Sequence, residues 1–409
     1  MLLNKVSPQL ETRMSAKFTA ILILICCSIC SGQELDRFGG NTTIKARPTG
    51  FFRVEQVGGR WLFITPEGHG YVALGANHVG KYLDLQADEM GLLDRFDGDR
   101  SKSAAFLIDQ MRKMGLNAGE AYAPLAPELK PVLPWVANIR FPAKSKFAFD
   151  VFAPEFQDRL LKSVIEQCRD FRDDPMVLGI AFADLPVWDK RRVKFFEQLD
   201  PSTPGGKVLA EYRKAGKSDN EFLAHVADVL YKQLSIACDR AAPNHLFFGE
   251  RHRLRGTPDE VLRAVGKHVD VFCTQALILS PQRPPEWQVF QADGYDHEQR
   301  LTGKPMLIID WAAPFSLSGE LKTDRGTLQP EEQAAEEASK WLVAAMQRPY
   351  MIGVFKCQLI GLHGNDRWFD GKSRRTYLRD DGTTFEYRTK ITREAHQAAL
   401  KAAYQQASQ

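Results

Sequence analysis

Eight short, continuously apolar runs recur along the chain, and most are followed by a stretch with helical character. They lie at residues 71–76, 116–120, 147–151, 177–182, 245–249, 269–273, 306–309 and 351–355. A parallel strand buried on both faces requires continuous apolar character instead of alternation. Strands that alternate with helices indicate a right-handed parallel α/β architecture, and eight units favour a closed ring over an open sheet. We therefore predict a (β/α)8 TIM barrel.

The segments between these runs carry helix start and stop signals. Helices are predicted at 103–114, 154–169, 219–242 and 329–347, and a further one starts at 257–260 (TPDE). Before the first run, Gly58-Gly59 separates residues 51–57 from 60–64, which predicts a short N-terminal β-hairpin. We expect one barrel domain over residues 51–405, preceded by a flexible segment at 33–50.

Composition excludes several classes of protein. A chain of 409 residues normally suggests two domains, but a barrel with insertions accommodates this length. The formal net charge of +3 is too small to indicate a nucleic-acid footprint, and we interpret the basic run 190–194 (KRRVK) as a solvated helix face. No glycine-rich phosphate-binding motif follows the first strand, which argues against nucleotide binding.

The N-terminus has the features of an export signal. The apolar run 21–29 (ILILICCSI) is too short for a stable membrane span; Lys17 precedes it and the small residues at 30–32 follow it. We predict a signal peptide at 1–32, with Met14 as the more conventional start, and a secreted or periplasmic protein without a stable span. A lipoprotein anchor at Cys30 is not favoured because Ile29 is a poor residue before a lipidated cysteine.

No residue pattern predicts a metal or a cofactor. Outside the N-terminal segment the chain has four cysteines without a CxxC pair, and we interpret Cys273 and Cys357 as buried free thiols. His363, Asp366 and Asp370 follow the last strand, but their spacing fits no standard ligand set and is typical of a loop.

The residues that follow the strands are candidates for the site, because a β/α barrel places its active site beyond the carboxyl ends of the strands. They are Asn77, His78, Glu120, Tyr122, Asp150, Asp184, Trp188, Glu250, Arg251, Thr274, Gln275, Asp310, Trp311, Lys356, Cys357 and Gln358. Carboxylates can protonate a glycosidic oxygen and stabilise an oxocarbenium-like centre, amides bind hydroxyls, and tryptophan faces stack on sugar rings. The set therefore points to a carbohydrate substrate, a polysaccharide or an oligosaccharide.

Five motifs carry a resemblance to a known family. They are residues 68–79 (GHGYVALGANHV), 179–188 (GIAFADLPVW), 245–251 (HLFFGER), 303–315 (GKPMLIIDWAAPF) and 349–358 (PYMIGVFKCQ). In order and spacing, across residues 51–404, the chain resembles the barrel of clan A glycoside hydrolases, nearest the exo-acting β-agarases of family 50. The resemblance implies an Asn-Glu pair after strand four, with Glu as acid/base, and a nucleophilic Glu after strand seven.

This chain departs from that pattern at the catalytic positions. Asp184 stands at the Asn position, Leu185 at the acid/base position and Asp310 at the nucleophile position. We expect Asp310 to act as nucleophile or base and Asp184 or Glu250 as acid. Nine residues of the set are expected to bind the substrate: Asn77, His78, Tyr122, Asp150, Trp188, Arg251, Gln275, Trp311 and Gln358.

Several structural alternatives stay open. Asp184 can cap a turn, Glu250 and Arg251 can form an internal ion pair, and Asp150 can hold a neighbouring backbone. Trp188 and Trp311 can belong to the core, as can His78. We expect a secreted glycosidase, agarase-like or β-galactosidase-like; the alternatives are a degenerate carbohydrate-binding barrel and a structural protein that keeps the scaffold.

Overall fold

The computed structural model describes residues 34–79, 83, 96–119, 126–276, 289–323, 326–360, 373–379 and 382–408. By its contacts the chain divides into two units, Met1–Glu34 and Leu35–Gln409. The expected signal peptide therefore lies outside the described residues. Among the helices that are described, none has the length and apolar character needed to cross a membrane.

An antiparallel sheet precedes the barrel. Its strands are β1 (Asn41–Lys45), β2 (Arg53–Val57), β3 (Arg60–Ile64) and β4 (His69–Tyr71), in the order β1-β4-β3-β2. The predicted hairpin is β2–β3, and Gly58 and Gly59 both have positive φ (56° and 76°), as a tight two-residue turn requires. Strand β1 lies inside the segment expected to be flexible. The Arg60 guanidinium donates to the carbonyls of Arg348 and Met351, which ties the sheet to the barrel.

Eight parallel strands close into the predicted barrel. They are β5 (Ala73–Ala76), β6 (Ala118–Gly119), β7 (Trp135–Asn138), β8 (Val177–Asp184), β9 (Phe247–Arg253), β10 (Phe272–Gln275), β11 (Met306–Trp311) and β15 (Met351–Lys356). Four short strands lie outside it: β12 (Phe315–Ser316), β13 (Leu321–Thr323), β14 (Gly326–Leu328) and β16 (Ser373–Arg374). The (β/α)8 architecture is confirmed.

The prediction for the third barrel strand was wrong. Residues 147–151 form turns: the backbone N–H groups of Phe147 and Ala148 donate to Ser145 Oγ, and that of Phe152 donates to Asp150 Oδ1. The strand is β7 instead, where Trp135 pairs with Val177 of β8. Asp150 consequently does not stand at a strand end.

The described residues include nine helices. They are α1 (Arg100–Lys113), α2 (Pro154–Cys168), α3 (Lys190–Glu197), α4 (Pro204–Lys214), α5 (Asp219–Ala241), α6 (Asp259–Gly266), α7 (Ala292–Thr302), α8 (Glu331–Met346) and α9 (Glu386–Ala407). The basic run lies in α3, whose N-cap Asp189 accepts from the Arg191 N–H. The solvated-face interpretation was wrong for Arg192, which is completely buried.

Close packing between β5 and β15 leads to a stability prediction. Gly353 pairs with Ala73, and a Cβ at Gly353 would stand 2.4 Å from the Ala73 carbonyl oxygen. We expect Gly353→Ala to lower the free energy of unfolding by about 1–3 kcal/mol because backbone in a closed barrel cannot retreat. Urea denaturation measures this loss of stability. Ile352→Val, in the same strand, is the reference substitution and should cost about 1 kcal/mol. An unchanged urea midpoint for Gly353→Ala would show that the strands shift enough to accommodate the added methyl group.

Candidate active site

One arginine joins two carboxylates at the carboxyl end of the barrel. Arg251, near the end of β9, donates through Nη1 to Asp310 Oδ2 (2.5 Å) and through Nη2 to Asp184 Oδ1. Asp184 ends β8 and Asp310 stands one residue before the end of β11. We call these three residues the Asp-Arg-Asp cluster. Because one guanidinium reaches both acids, their carboxyl groups lie over the same part of the rim.

The three side chains of the cluster differ in their exposure to solvent. The side chain of Arg251 is 6% exposed, that of Asp310 13% and that of Asp184 42%. Asp184 therefore has access to water, whereas Asp310 is largely enclosed. The capping alternative for Asp184 is not what the structure has, since Asp189 caps α3.

The surroundings of Asp310 favour its protonated form. Burial raises the pKa of this carboxyl, the negative charge of Asp184 raises it further, and the Arg251 guanidinium opposes both. Gln275 Nε2 also donates to Asp310 Oδ2 at 2.9 Å, which fixes the orientation of the carboxyl group. Asp310 thus combines a defined position with a proton affinity above that of an aspartate in water.

Leu185 occupies a strained position beside the cluster. It follows Asp184 directly, is half-buried and has a φ of +52°, a conformation that bulky residues rarely adopt. Its hydrocarbon side chain cannot carry a proton. The position where the family resemblance implies the acid/base therefore contributes no acid–base chemistry.

Glu250 does not join the cluster. Its carboxylate is buried and accepts a hydrogen bond from the Tyr231 hydroxyl of α5 (2.8 Å), whereas Arg251 beside it contacts the two aspartates. Successive side chains of a strand point to opposite faces, so Glu250 lies on the helix side of β9. Burial raises the pKa of Glu250 to about 7, against the opposing Arg192 charge and the Tyr231 hydrogen bond.

A buried hydrogen-bonded chain extends from Glu250. Tyr231 Oη lies 2.9 Å from His252 Nε2, and His252 Nδ1 lies 3.0 Å from Thr257 Oγ1. Burial lowers the pKa of His252 to about 3, so its ring is neutral. One arrangement of protons satisfies every contact: Thr257 donates to His252, His252 donates to Tyr231, and Tyr231 donates to Glu250. These groups stabilise the packing of α5 against β9.

Both tryptophans expected to bind sugar are buried. Trp188 packs under the Arg192 guanidinium, whose carbon lies 4.1 Å from the ring centre, and Trp311 stacks on Trp341 of α8 at 5.1 Å. Their packing agrees with the core alternative. Asp150 accepts hydrogen bonds from the Gly205 and Phe152 N–H groups and is remote in sequence and contacts from the cluster.

Other expected site residues differ in their placement. Asn77 is buried and donates through Nδ2 to the Ile309 carbonyl (2.7 Å), which brings it beside Asp310 along the chain. His78 is half-buried after β5, with a φ of +62°, and Gln358 is buried after β15. Glu120 and Tyr122, like His363, Asp366 and Asp370, lie outside the described residues.

No family model and no curated protein matches the amino-acid sequence. Solved structures do match: the agarase AgWH50C has a TM-score of 0.74 and 18% identity over 90% of this chain and 66% of its own. This chain has the fold of an agarase. A second match, an exo-β-agarase, has a TM-score of 0.74 and 16% identity over 90% of this chain and 68% of its own.

A more distant match widens the comparison. A GH2 β-galacturonidase from Eisenbergiella tayi, bound to galacturonate, has a TM-score of 0.53 and 12% identity, covering 85% of this chain and 54% of its own. The chain spans only part of the length of these proteins: 66% of the agarase AgWH50C and 54% of the galacturonidase. At these identities the likeness establishes the agarase fold.

Several buried polar groups near the site have no recognisable signal in the sequence. Arg192 was hidden in a basic run, and Tyr231 in an amphipathic helix gives no local signal. His252 stands two residues after Glu250, on the same face of β9, and this spacing was the one available clue. Lys356, by contrast, was expected at the site; it is the last residue of β15 and is completely buried, although lysines seldom are.

Proposed function

We propose that this protein is a secreted glycoside hydrolase that cleaves O-glycosidic bonds of a galactan-type polysaccharide or oligosaccharide. The observation that carries the proposal is the convergence of Asp184 and Asp310 on one guanidinium at the carboxyl rim of an agarase-like barrel. Glycoside hydrolysis usually requires two carboxyl groups that flank the same glycosidic bond.

The environments of the two acids support an assignment of roles. Leu185 holds no proton, so the general acid has to be a carboxyl group with a raised pKa. Burial gives Asp310 that property, while the exposure of Asp184 lets it reach water. Asp310 then protonates the departing glycosidic oxygen, and Asp184 removes a proton from the water that attacks the anomeric carbon. This reverses the roles expected from sequence and implies inversion at that carbon.

Arg251 is a positioning residue in this scheme. It holds both carboxyl groups over the rim through hydrogen bonds from the two terminal nitrogens of one guanidinium. Once Asp310 has given up its proton, Arg251 stabilises the resulting carboxylate. Both acids regain their starting states by proton exchange with solvent.

The release of reducing ends tests the proposed activity. Agarose, other galactans and galacturonan oligosaccharides are incubated with the protein, with Asp184→Asn and with Asp293→Asn as a control for loss of an exposed aspartate. We expect wild type and Asp293→Asn to release reducing ends from one substrate class, and Asp184→Asn to be slower by about 10²–10⁴. Full activity of Asp184→Asn would refute its role as base.

A specific observation favours a second candidate, a carbohydrate-binding barrel without turnover. Leu185 replaces the acid/base implied by the resemblance, and both remaining carboxylates are paired with Arg251. Binding of an oligosaccharide in calorimetry, without release of reducing ends over days, would support this candidate and contradict the first.

Restoring an acid at position 185 is expected to raise the hydrolytic rate. In Leu185→Glu a carboxyl group stands in a half-buried position next to Asp184, where it can protonate a leaving group. We expect kcat/KM to rise by about 10-fold or more, since a positioned acid contributes about 10²–10⁴ and the site is not adapted to this one. Leu185→Gln is the matched control because it has the same shape and no acidic proton. Equal rates for the two variants would mean that position 185 does not face the substrate.

A further inference from the structure

Two basic side chains are buried together on the outer face of the barrel, next to β11 and β15. Lys356, which ends β15, is 0% exposed, and its Nζ lies 4.7 Å from the ring centre of Trp311 and 5.0 Å from that of Tyr377. Arg388 of α9 is 1% exposed, and its guanidinium lies 4.3 Å from the ring centre of Phe315. We call this pair the Lys-Arg pair.

Within the described part of the chain, most donors of this pair have no acceptor. Lys356 Nζ and Arg388 Nε and Nη1 have no hydrogen-bonding partner, and Arg388 Nη2 has only the Ala313 carbonyl at 3.4 Å. The nearby Glu331 carboxylate accepts from the Arg388 backbone N–H and not from its guanidinium. A buried donor without an acceptor is destabilising. The charges of Asp310 and Glu331 act on Lys356 and Arg388 respectively, but neither carboxylate accepts a hydrogen bond from those side chains, so the donors of the pair stay unsatisfied.

A cavity adjoins the pair. It measures about 10 Å³ and is lined by Trp311, Tyr377, Arg388 and Thr392, together with Ser339 and apolar side chains of α8. A volume of about 10–15 Å³ is the least that holds one water-sized species. Trp311 Nε1, a further buried donor without a partner, belongs to a residue of the same wall. The unpartnered groups of Trp311, Lys356 and Arg388 are all donors, which is the arrangement that binds an anion.

We propose that this cavity binds one small monovalent anion, of the size of chloride, between the Arg388 guanidinium and the Trp311 indole, with the Lys356 side chain beside the Trp311 ring. A halide supplies both the acceptor that the donors lack and a negative charge close to the pair. Water supplies the acceptor only, and sulfate or phosphate departs further than a halide from a volume close to that of one water. Burial and the Arg388 charge lower the pKa of Lys356, and a bound anion counteracts both effects.

Bromide gives a direct test, because its anomalous scattering locates it in a crystal. Crystals of the wild-type protein grown in sodium bromide are expected to show one anomalous peak at the cavity, within contact distance of the Arg388 guanidinium. In solution, the Tm is expected to rise by about 3 °C between sodium gluconate and sodium chloride at equal ionic strength, since a ligand that binds only the folded state stabilises it. Absence of the peak, or equal Tm in the two salts, would overturn the proposal.

Variants separate a specific site from a general salt effect. Arg388→Met and Lys356→Met should lose the dependence of Tm on chloride, and in gluconate they should be at least as stable as wild type, because an unpaired charge is gone. Arg60→Met is the matched control: Arg60 is equally buried but donates to Gln406, Arg348 and Met351. It should be less stable in both salts and keep the full chloride response. Retention of that response in Arg388→Met would also refute the site.

Discussion

Asp310→Asn is expected to lower kcat by about 10³ on any glycan that the protein hydrolyses. Asparagine keeps the size of the side chain and an acceptor for the Arg251 and Gln275 hydrogen bonds, but it cannot give a proton to a glycosidic oxygen. A positioned general acid contributes about 10²–10⁴ to the rate. Steady-state release of reducing ends measures kcat, and KM should change little because the shape of the site is kept.

The leaving group distinguishes loss of the acid from loss of structure. An aryl glycoside with an acidic phenol needs little protonation, so on this substrate Asp310→Asn should recover most of the wild-type rate. With wild type, the rate on a natural glycan should fall as pH rises through the Asp310 pKa, because the acid has to be protonated. An Asp310→Asn variant that is equally slow on both substrates, or fully active on the glycan, would exclude Asp310 as the acid.

Glu250→Gln is expected to remove about 3 kcal/mol of pH dependence from the stability of the fold. In the folded protein, burial raises the pKa of Glu250 from its usual 4.5 to about 7. The unfolded chain therefore loses this proton first, and the free energy of unfolding falls as pH rises between these values. A tenfold difference in proton affinity equals about 1.4 kcal/mol, which gives the expected magnitude.

Urea denaturation at pH 4.5 and at pH 7.5 measures this effect. At the higher pH wild type should lose the Glu250 contribution together with that of Glu298, another buried carboxyl whose pKa is raised to about 7, while the buried rings of His252 and His396, whose pKa values are lowered to about 3 and about 4, oppose this loss. Glu250→Gln should lose its share, whereas Glu197→Gln, at a half-exposed carboxylate, should behave as wild type. If Glu250→Gln and wild type show the same difference between the two pH values, Glu250 is not the group that titrates.

The barrel was predictable because burial on both faces leaves a continuous apolar signature in the sequence. The third strand was misplaced since residues 147–151 are also apolar for another reason: Phe149 is buried in a loop, where it stacks on Phe156 of α2 at 4.7 Å. A short apolar run does not distinguish a strand from a buried turn. The pairing of Trp135 with Val177 identifies the third strand, and strand pairing depends on residues that are distant in the sequence.

The candidate site was predictable in position but less so in orientation. Asp184, Gln275 and Asp310 follow their strands as expected, and the contacts through Arg251 bring them together. The sequence does not reveal which of the Glu250 and Arg251 side chains points toward Asp184 and Asp310. Gly249, with a φ of +68°, and a register shift between β8 and β9 interrupt the alternation just before them. The positions of Trp188 and Trp311 after strands likewise do not reveal that their side chains are buried.

The stereochemistry of the first product tests the paired roles of Asp184 and Asp310 most directly. Proton NMR of a β-linked galacto-oligosaccharide digest, recorded before the sugar mutarotates, identifies the anomer that the protein releases. We expect the α-anomer at first, because water activated by Asp184 attacks the face opposite the departing group that Asp310 protonates. Initial release of the β-anomer would contradict these roles, and so would the absence of any released sugar.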